Sequence, residues 1–171
     1  DISRNALLQS QTYDRKGFII NEVYNLSIEG DAEIVIDDLS SVVLSFNNCS
    51  KLSLDGLTVG HINPPNTYSC EGAVVYLNGC SDVKISNCKL FGCGSIGIDA
   101  DTTTGLVVTS TEIYDCNYSG ISFEDSYGTF DRCEFYDLSS AYSVISSDNS
   151  TIKFTDCSFD ETNVTVNSWH E

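Results

Sequence analysis

The sequence predicts an all-β solenoid, a right-handed single-stranded parallel β-helix of about six coils, and three observations predict it. A short strand-like pattern recurs along the chain, its copies fall about one coil apart, and no stretch carries the period of a useful helix. Such a chain returns repeatedly to the same face, and each coil buries that face against the next.

The elements follow in order. Residues 1–25 are expected to form an irregular, capping N-terminal segment. Leu26-Ser-Ile28 opens a loose copy of the frame, and Leu52-Ser-Leu54-Asp-Gly-Leu57-Thr-Val59 is the first full one. It recurs as Val83-Lys-Ile85-Ser-Asn-Cys88-Lys-Leu90 and as Leu106-Val-Val108-Thr-Ser-Thr111-Glu-Ile113. Two more copies are Gly128-Thr-Phe130-Asp-Arg-Cys133-Glu-Phe135 and Ile152-Lys-Phe154-Thr-Asp-Cys157-Ser-Phe159. The copies start at 52, 83, 106, 128 and 152, separated by 31, 23, 22 and 24 residues.

Alternation inside each copy marks half-buried strands, and the polar pair between them marks a corner. Each repeat holds a further strand: Val74–Leu77, Ile96–Ile98, Ile121–Phe123 and Val144–Ile145. Three short strands per coil give a three-faced helix, and parallel crossovers strongly prefer the right hand. A β-sandwich is the competing fold. Asn78-Gly79 is the one hairpin signal between alternating runs, so the repeat decides for the solenoid.

The chain has 171 residues, which suits one domain spanning 1–171, with an inserted loop at 60–72. Eight basic against 25 acidic residues give a net charge of −17. A surface so negative excludes nucleic acid as a partner and disfavours anionic membranes. No apolar run approaches the ~20 residues that cross a bilayer, so no membrane insertion is expected.

Eight cysteines suggest disulfides if the protein is extracellular, or small apolar ladders if they stay reduced. The repeat gives addresses to most of them. Cys49 and Cys80 should stack, as should Cys93 and Cys116. Cys133 and Cys157 share one inward position, with Thr111 and Cys88 above them. Stacked side chains point the same way, which favours free buried thiols. Cys70 falls outside the repeat, and Cys93 is its expected disulfide partner. Five sequons, at Asn25, Asn48, Asn117, Asn149 and Asn163, are explained as turn residues.

The repeated frame resembles the right-handed parallel β-helix proteins of the pectin-lyase-like superfamily, over most of residues 20–167. That resemblance implies the fold. The superfamily includes polysaccharide lyases, hydrolases, epimerases, phage tailspikes and adhesins, so function must be read from sites.

Three candidate sites emerge. In the irregular loop, His61 and Glu71 could act as acid, base or ligand. If Ile98 stacks over Phe123, Asp99 lies over Glu124, with Asp101, Asp125 and Asp148 gathered at the adjacent turn. Carboxylates so close suit a calcium ion, and pectate-lyase-like enzymes bind calcium in a comparable way. Those enzymes also use a basic residue and arginines, whereas Lys51, Lys84, Lys89, Lys153 and Arg132 are scattered here. Outward tyrosines, Tyr114, Tyr118, Tyr136 and Tyr142, form the third candidate, a strip for stacking sugars.

The leading expectation is a non-catalytic extracellular or cell-surface module that binds carbohydrate or a protein and needs no cofactor other than calcium. The alternatives are a polysaccharide lyase or glycoside hydrolase, or a structural segment of a longer solenoid. The last copy, Val164-Thr-Val166-Asn-Ser-Trp169, still reads as strand without a polar cap. It predicts a longer parent chain, end-to-end self-association, or Trp169 folded across the open core.

Overall fold

A computed structural model describes residues 17–38, 40–62, 72–92, 95–138 and 144–160, and the backbone of Val166–Trp169. Among the described residues, three parallel sheets stack along one axis: sheet A of seven strands, sheets B and C of six each. Neighbours within a sheet are three strands apart in the chain, as a coiled ribbon requires. One coil runs through Ile96–Asp101 in sheet A, Thr104–Thr109 in sheet B and Glu112–Tyr114 in sheet C. It re-enters sheet A at Ser119–Glu124, beside the strand it left. The parallel β-helix inferred from the repeat is the fold.

The first coil begins earlier than the sequence suggests. Phe18–Asn21 and Tyr24–Glu29 are strands, although both start within the segment expected to be irregular. Four residues, FIIN, are too few to display a period alone. Their conformation comes from pairing in register with Leu44–Asn47. The inserted loop lies mostly outside the described residues, which end at Ile62 and resume at Gly72.

Inward positions of the three sheets form one continuous core. Leu54, Val59, Leu77, Ile85, Leu90, Ile98, Val108, Ile113 and Ile121 are all fully buried. Volume is balanced coil by coil rather than column by column. In one coil, Ala100 in sheet A faces a core that Leu106 of sheet B helps to fill. In the next, Phe123 occupies the column of Ala100 and Gly128 that of Leu106. The Phe123 ring takes the space Gly128 leaves: a Cβ there would sit 2.6 Å from Phe123 Cε2.

Among the described residues, each corner from sheet A to B and from B to C turns on a residue with positive φ. Between sheets A and B these are Glu22, Asn48, Gly79, Thr102, Asp125 and Asn149; between B and C they are Gly30, Gly56, Asn87, Ser110, Arg132 and Asp156. Asn, Asp and Gly accept this conformation most readily, which is why turn residues recur there. Two sequon asparagines, Asn48 and Asn149, are such corners, and Asn25 also has positive φ.

From Asn48 onward, the next residue at each of these corners points inward and stacks. At the A–B corner the amide of Cys80 donates to Thr103 Oγ1 at 3.3 Å, and that of Thr103 to Ser126 Oγ at 2.9 Å. Ser126 in turn donates its amide to Ser150 Oγ at 2.9 Å. Thr103 Oγ1 also lies 3.1 Å from the Asp101 carbonyl and 3.2 Å from that of Leu77, one coil back. Cys80 Sγ sits in the same way on the carbonyls of Asn78 and Phe46. Cys, Thr and Ser are thus equivalent here, because each puts a small donor and acceptor at the γ position. The described cysteines 49, 80, 88, 116, 133 and 157 are all free thiols, five of them buried. Burial pushes the Cys116 thiol up to about 12 and that of Cys133 up to about 11. The expected Cys70–Cys93 pairing lies outside the described residues.

Candidate functional site

Two outer surfaces concentrate polar and aromatic side chains in register. On sheet A, alternate residues point outward and form two rows along the axis. The outer row is Asn21, Asn47, Asn78, Asp101, Glu124 and Asp148. The inner row includes Ser45, Tyr76, Asp99, Ser122 and Ser146. Successive members lie about 4.8 Å apart, the spacing of neighbouring strands. Amide hydrogen bonds link the first rungs, Asn47 Nδ2 donating to Asn21 Oδ1 at 2.9 Å.

Four of the five expected acidic residues fall on this face, in a corrected register. Ile98 pairs with Ile121, not Phe123, so Asp99 faces Ser122 and Asp101 faces Glu124. Asp148 continues the row beside Glu124. Asp125 is not part of it, because it is a corner residue that accepts a hydrogen bond from Asn149. Ala100 hid the true register: matching the large apolar residues aligns Ile98 with Phe123, whereas volume is exchanged between sheets. Tyr76 and the three asparagines were missed, yet a signal exists. Every described strand of sheet A up to Asp148 ends in Asn, Asp or Glu.

Asp99 is the most perturbed carboxyl of this face. Partial burial, with Asp101 and Glu124 nearby, pushes its pKa up to about 6, against a hydrogen bond from Ser122 that favours ionisation. Tyr76 is also shifted up, by burial and by Asp101, Asp99 and Glu124. Among the described strands of sheet A there is no Lys or Arg to relieve this repulsion. Nor do any three His, Cys, Asp or Glu side chains among the described residues converge as a metal ion would need.

On sheet C, Phe91, Tyr114 and Tyr136 form an outward ladder. Their rings stack at 5.6 Å and 14°, then at 4.8 Å and 5°. Two of the predicted tyrosines are therefore together, joined by Phe91. Tyr118 lies apart, exposed in the turn from sheet C to sheet A, and Tyr142 is outside the described residues. Tyr114 is covered on both faces and presents only its edge to solvent. Sugar stacking needs an open ring face, which Tyr114 does not offer. Tyr136 donates its hydroxyl to Glu112 Oε2 at 2.7 Å, and Lys89 pairs with Glu112 at 3.2 Å.

The ladder is seated on Gly60. A Cβ there would lie 2.3 Å from the Phe91 carbonyl oxygen and 2.7 Å from its ring. Gly60→Ala is therefore expected to destabilise the protein by about 1–3 kcal/mol, the usual effect of overpacking. Thermal melts followed by near-ultraviolet circular dichroism would show a lower Tm and a weakened aromatic signal.

His61 is fully buried, which removes it from contact with a substrate. Its Nε2 lies 2.8 Å from the Ser41 carbonyl, to which it donates as the neutral ring, leaving Nδ1 without a partner among the described residues. Burial lowers its pKa, opposed by the Ser41 carbonyl and by Asp38. Glu71 lies outside the described residues.

Comparisons with known proteins agree with this architecture. A family model for the right-handed β-helix region matches residues 72–167, more than half of the chain. A protein of Parabacteroides merdae, described provisionally as a glycosyl hydrolase, superposes with a TM-score of 0.60 at 15% identity. The match covers 86% of this chain and 77% of that one, and at this identity it extends to the fold alone. QnrB1, a plasmid-mediated fluoroquinolone resistance protein, aligns at 7% identity over 85% of this chain and 92% of its own. Its TM-score of 0.21 carries no structural argument. No curated protein matches the sequence.

Proposed function

The chain belongs to the right-handed β-helix family, and from that premise we propose that it is a non-catalytic module that binds a neutral carbohydrate along the outer face of sheet A. The observation that supports this is the unbroken outer row from Asn21 to Asp148, six planar amides and carboxylates in register. Such groups accept and donate in one plane, which suits the paired hydroxyls of a sugar. A glycan laid along the axis meets a fresh partner at every rung. The adjacent Tyr76 supplies one aromatic ring beside Asp99. Uronates are disfavoured, because Asp99, Asp101, Glu124 and Asp148 would repel them.

A protein partner fits this face less well. Protein interfaces depend on buried aromatic or Arg anchors at their centre, and apart from Ile19 and Tyr76 these rows are polar. The depression lined by Phe135, Tyr136, Leu138, Val144, Phe159 and Asp160 has a cavity volume of only about 10 Å³. That is smaller than ordinary ligand pockets of roughly 300–1,000 Å³, and its lining contains no residue of the two rows.

One observation favours a second reading, a glycoside hydrolase acting at the same face. Asp99 keeps its proton to about pH 6 beside two further carboxylates, and glycoside hydrolysis uses a protonated acid with a carboxylate partner. The provisional description of the Parabacteroides merdae protein points to the same substrate class. Two assays on one panel of neutral polysaccharides separate the readings. Retention on an immobilised glycan without release of reducing ends is the expected result. Release of reducing ends that disappears in Asp99→Asn would establish the hydrolase instead.

A further inference from the structure

We propose that Cys133 and Cys157 are a redox-active pair that closes into a disulfide between consecutive coils on meeting a small-molecule disulfide. They occupy the same inward position at the B–C corner, where sheet B strands Tyr127–Asp131 and Thr151–Thr155 are paired in register. Adjacent rungs lie about 4.8 Å apart, inside the Cα separation of 4.4–6.8 Å that a disulfide accepts.

The two thiols lie one above the other, each on the carbonyls of its own and the preceding coil, and Cys157 Sγ accepts the Cys133 amide at 3.4 Å. Exposure divides the roles: Cys157 is half-buried, whereas Cys133 is sealed in the core.

The chemistry follows from that division. The Cys157 thiolate attacks one sulfur of the small disulfide, forming a mixed disulfide and expelling one thiolate. Cys133 then loses its proton, attacks the Cys157 sulfur and expels the second thiolate. Two protein thiols are oxidised, one small disulfide is reduced to two thiols, and the two consecutive coils become tied together. The other corner contains a built-in comparison. Cys49 and Cys80 are also successive members of one ladder, but each is only 1% exposed, so neither can begin the exchange.

The test is to incubate the full chain with oxidised glutathione, alkylate residual thiols after denaturation, and map peptides by mass spectrometry. A cross-linked Cys133–Cys157 peptide is expected, together with a raised Tm. Cys157→Ser should abolish both, and Cys133→Ser should leave glutathione trapped on Cys157. Serine occupies equivalent inward corners at Ser126 and Ser150, so both variants should fold. An unmodified pair, a mixed disulfide that never resolves in the wild type, or equal cross-linking of Cys49 with Cys80 would overturn the proposal.

Discussion

Phe130→Ala should cost the fold about 3–5 kcal/mol, the largest loss expected from any single side chain here. Phe130 is fully buried where the three sheets of one coil meet the next coil. Its ring stacks on Phe154 at 5.2 Å and meets Phe135 at 5.9 Å and Phe123 at 6.0 Å. Truncation leaves a cavity that cannot collapse, because the neighbouring rings are themselves fixed by register. In a chain of this size a loss of that order lowers Tm by roughly 10 °C. Val107→Ala, on the outer face of sheet B, is the matched control and should change Tm little. Equal Tm shifts for the two would mean that the aromatic cluster is not the centre of the core.

Asp99→Asn should act in the opposite direction and stabilise the protein at neutral pH. The folded-state pKa of Asp99, about 6, lies above its ordinary value of 3.8. Its contribution is therefore fully present below 3.8 and is lost as pH rises through 6. At pH 7.5 the ionised carboxylate works against folding, by about 2 kcal/mol once its partial exposure is allowed for. Asparagine removes the charge and keeps a partner for Ser122. The expected gain in Tm at pH 7.5 is roughly 5 °C, shrinking toward zero at pH 4.

His61 imposes the reverse slope. Its folded-state pKa is below 6.5, so the native state prefers the neutral ring and stability falls as pH drops below 6.5. In the wild type the two slopes oppose each other between about pH 4 and 6.5. Denaturant midpoints of Asp99→Asn across that range should fall more steeply with acid than those of the wild type, since the opposing Asp99 slope is gone. A variant whose pH profile matches the wild type would show that Asp99 is not held protonated.

The solenoid was legible in the sequence because its determinants are local and repeated. Val83, Leu106 and Ile152 occupy one inward column, and the period alone aligns them. Corner positions were legible for the same reason: Cys80 and Cys133 stand where a small γ atom is required, and so do Thr103 and Thr111. The register of sheet A was not legible at Ala100, where the expected large residue is absent. There the missing volume is made up by another sheet, a compensation no single column records. The first coil was hidden because FIIN derives its conformation from its neighbour.

The candidate site was legible in part. The sequence led to Asp99, Asp101, Glu124 and Asp148, but not to their alternation into two rows. It also suggested a tyrosine strip for sugars, and stacking covers both faces of Tyr114, which such a role would need open. His61 drew attention as a rare residue in an irregular loop, yet packing places it inside the wall. Tyr76 stands in a strand of ordinary apolar character, and only pairing with Asp99 gives it a place in the site.

Affinity for a neutral glycan, measured in parallel on a sheet A variant and a sheet C variant, tests the proposed function most directly. With a glycan that the wild type retains, the double variant Asn78→Ala/Asp101→Ala should lose at least tenfold in affinity while its Tm stays near the wild-type value. Tyr114→Ala should bind as the wild type does, since Tyr114 offers no open face. Loss of binding in Tyr114→Ala, with full affinity in Asn78→Ala/Asp101→Ala, would contradict the account and move the contact surface to sheet C.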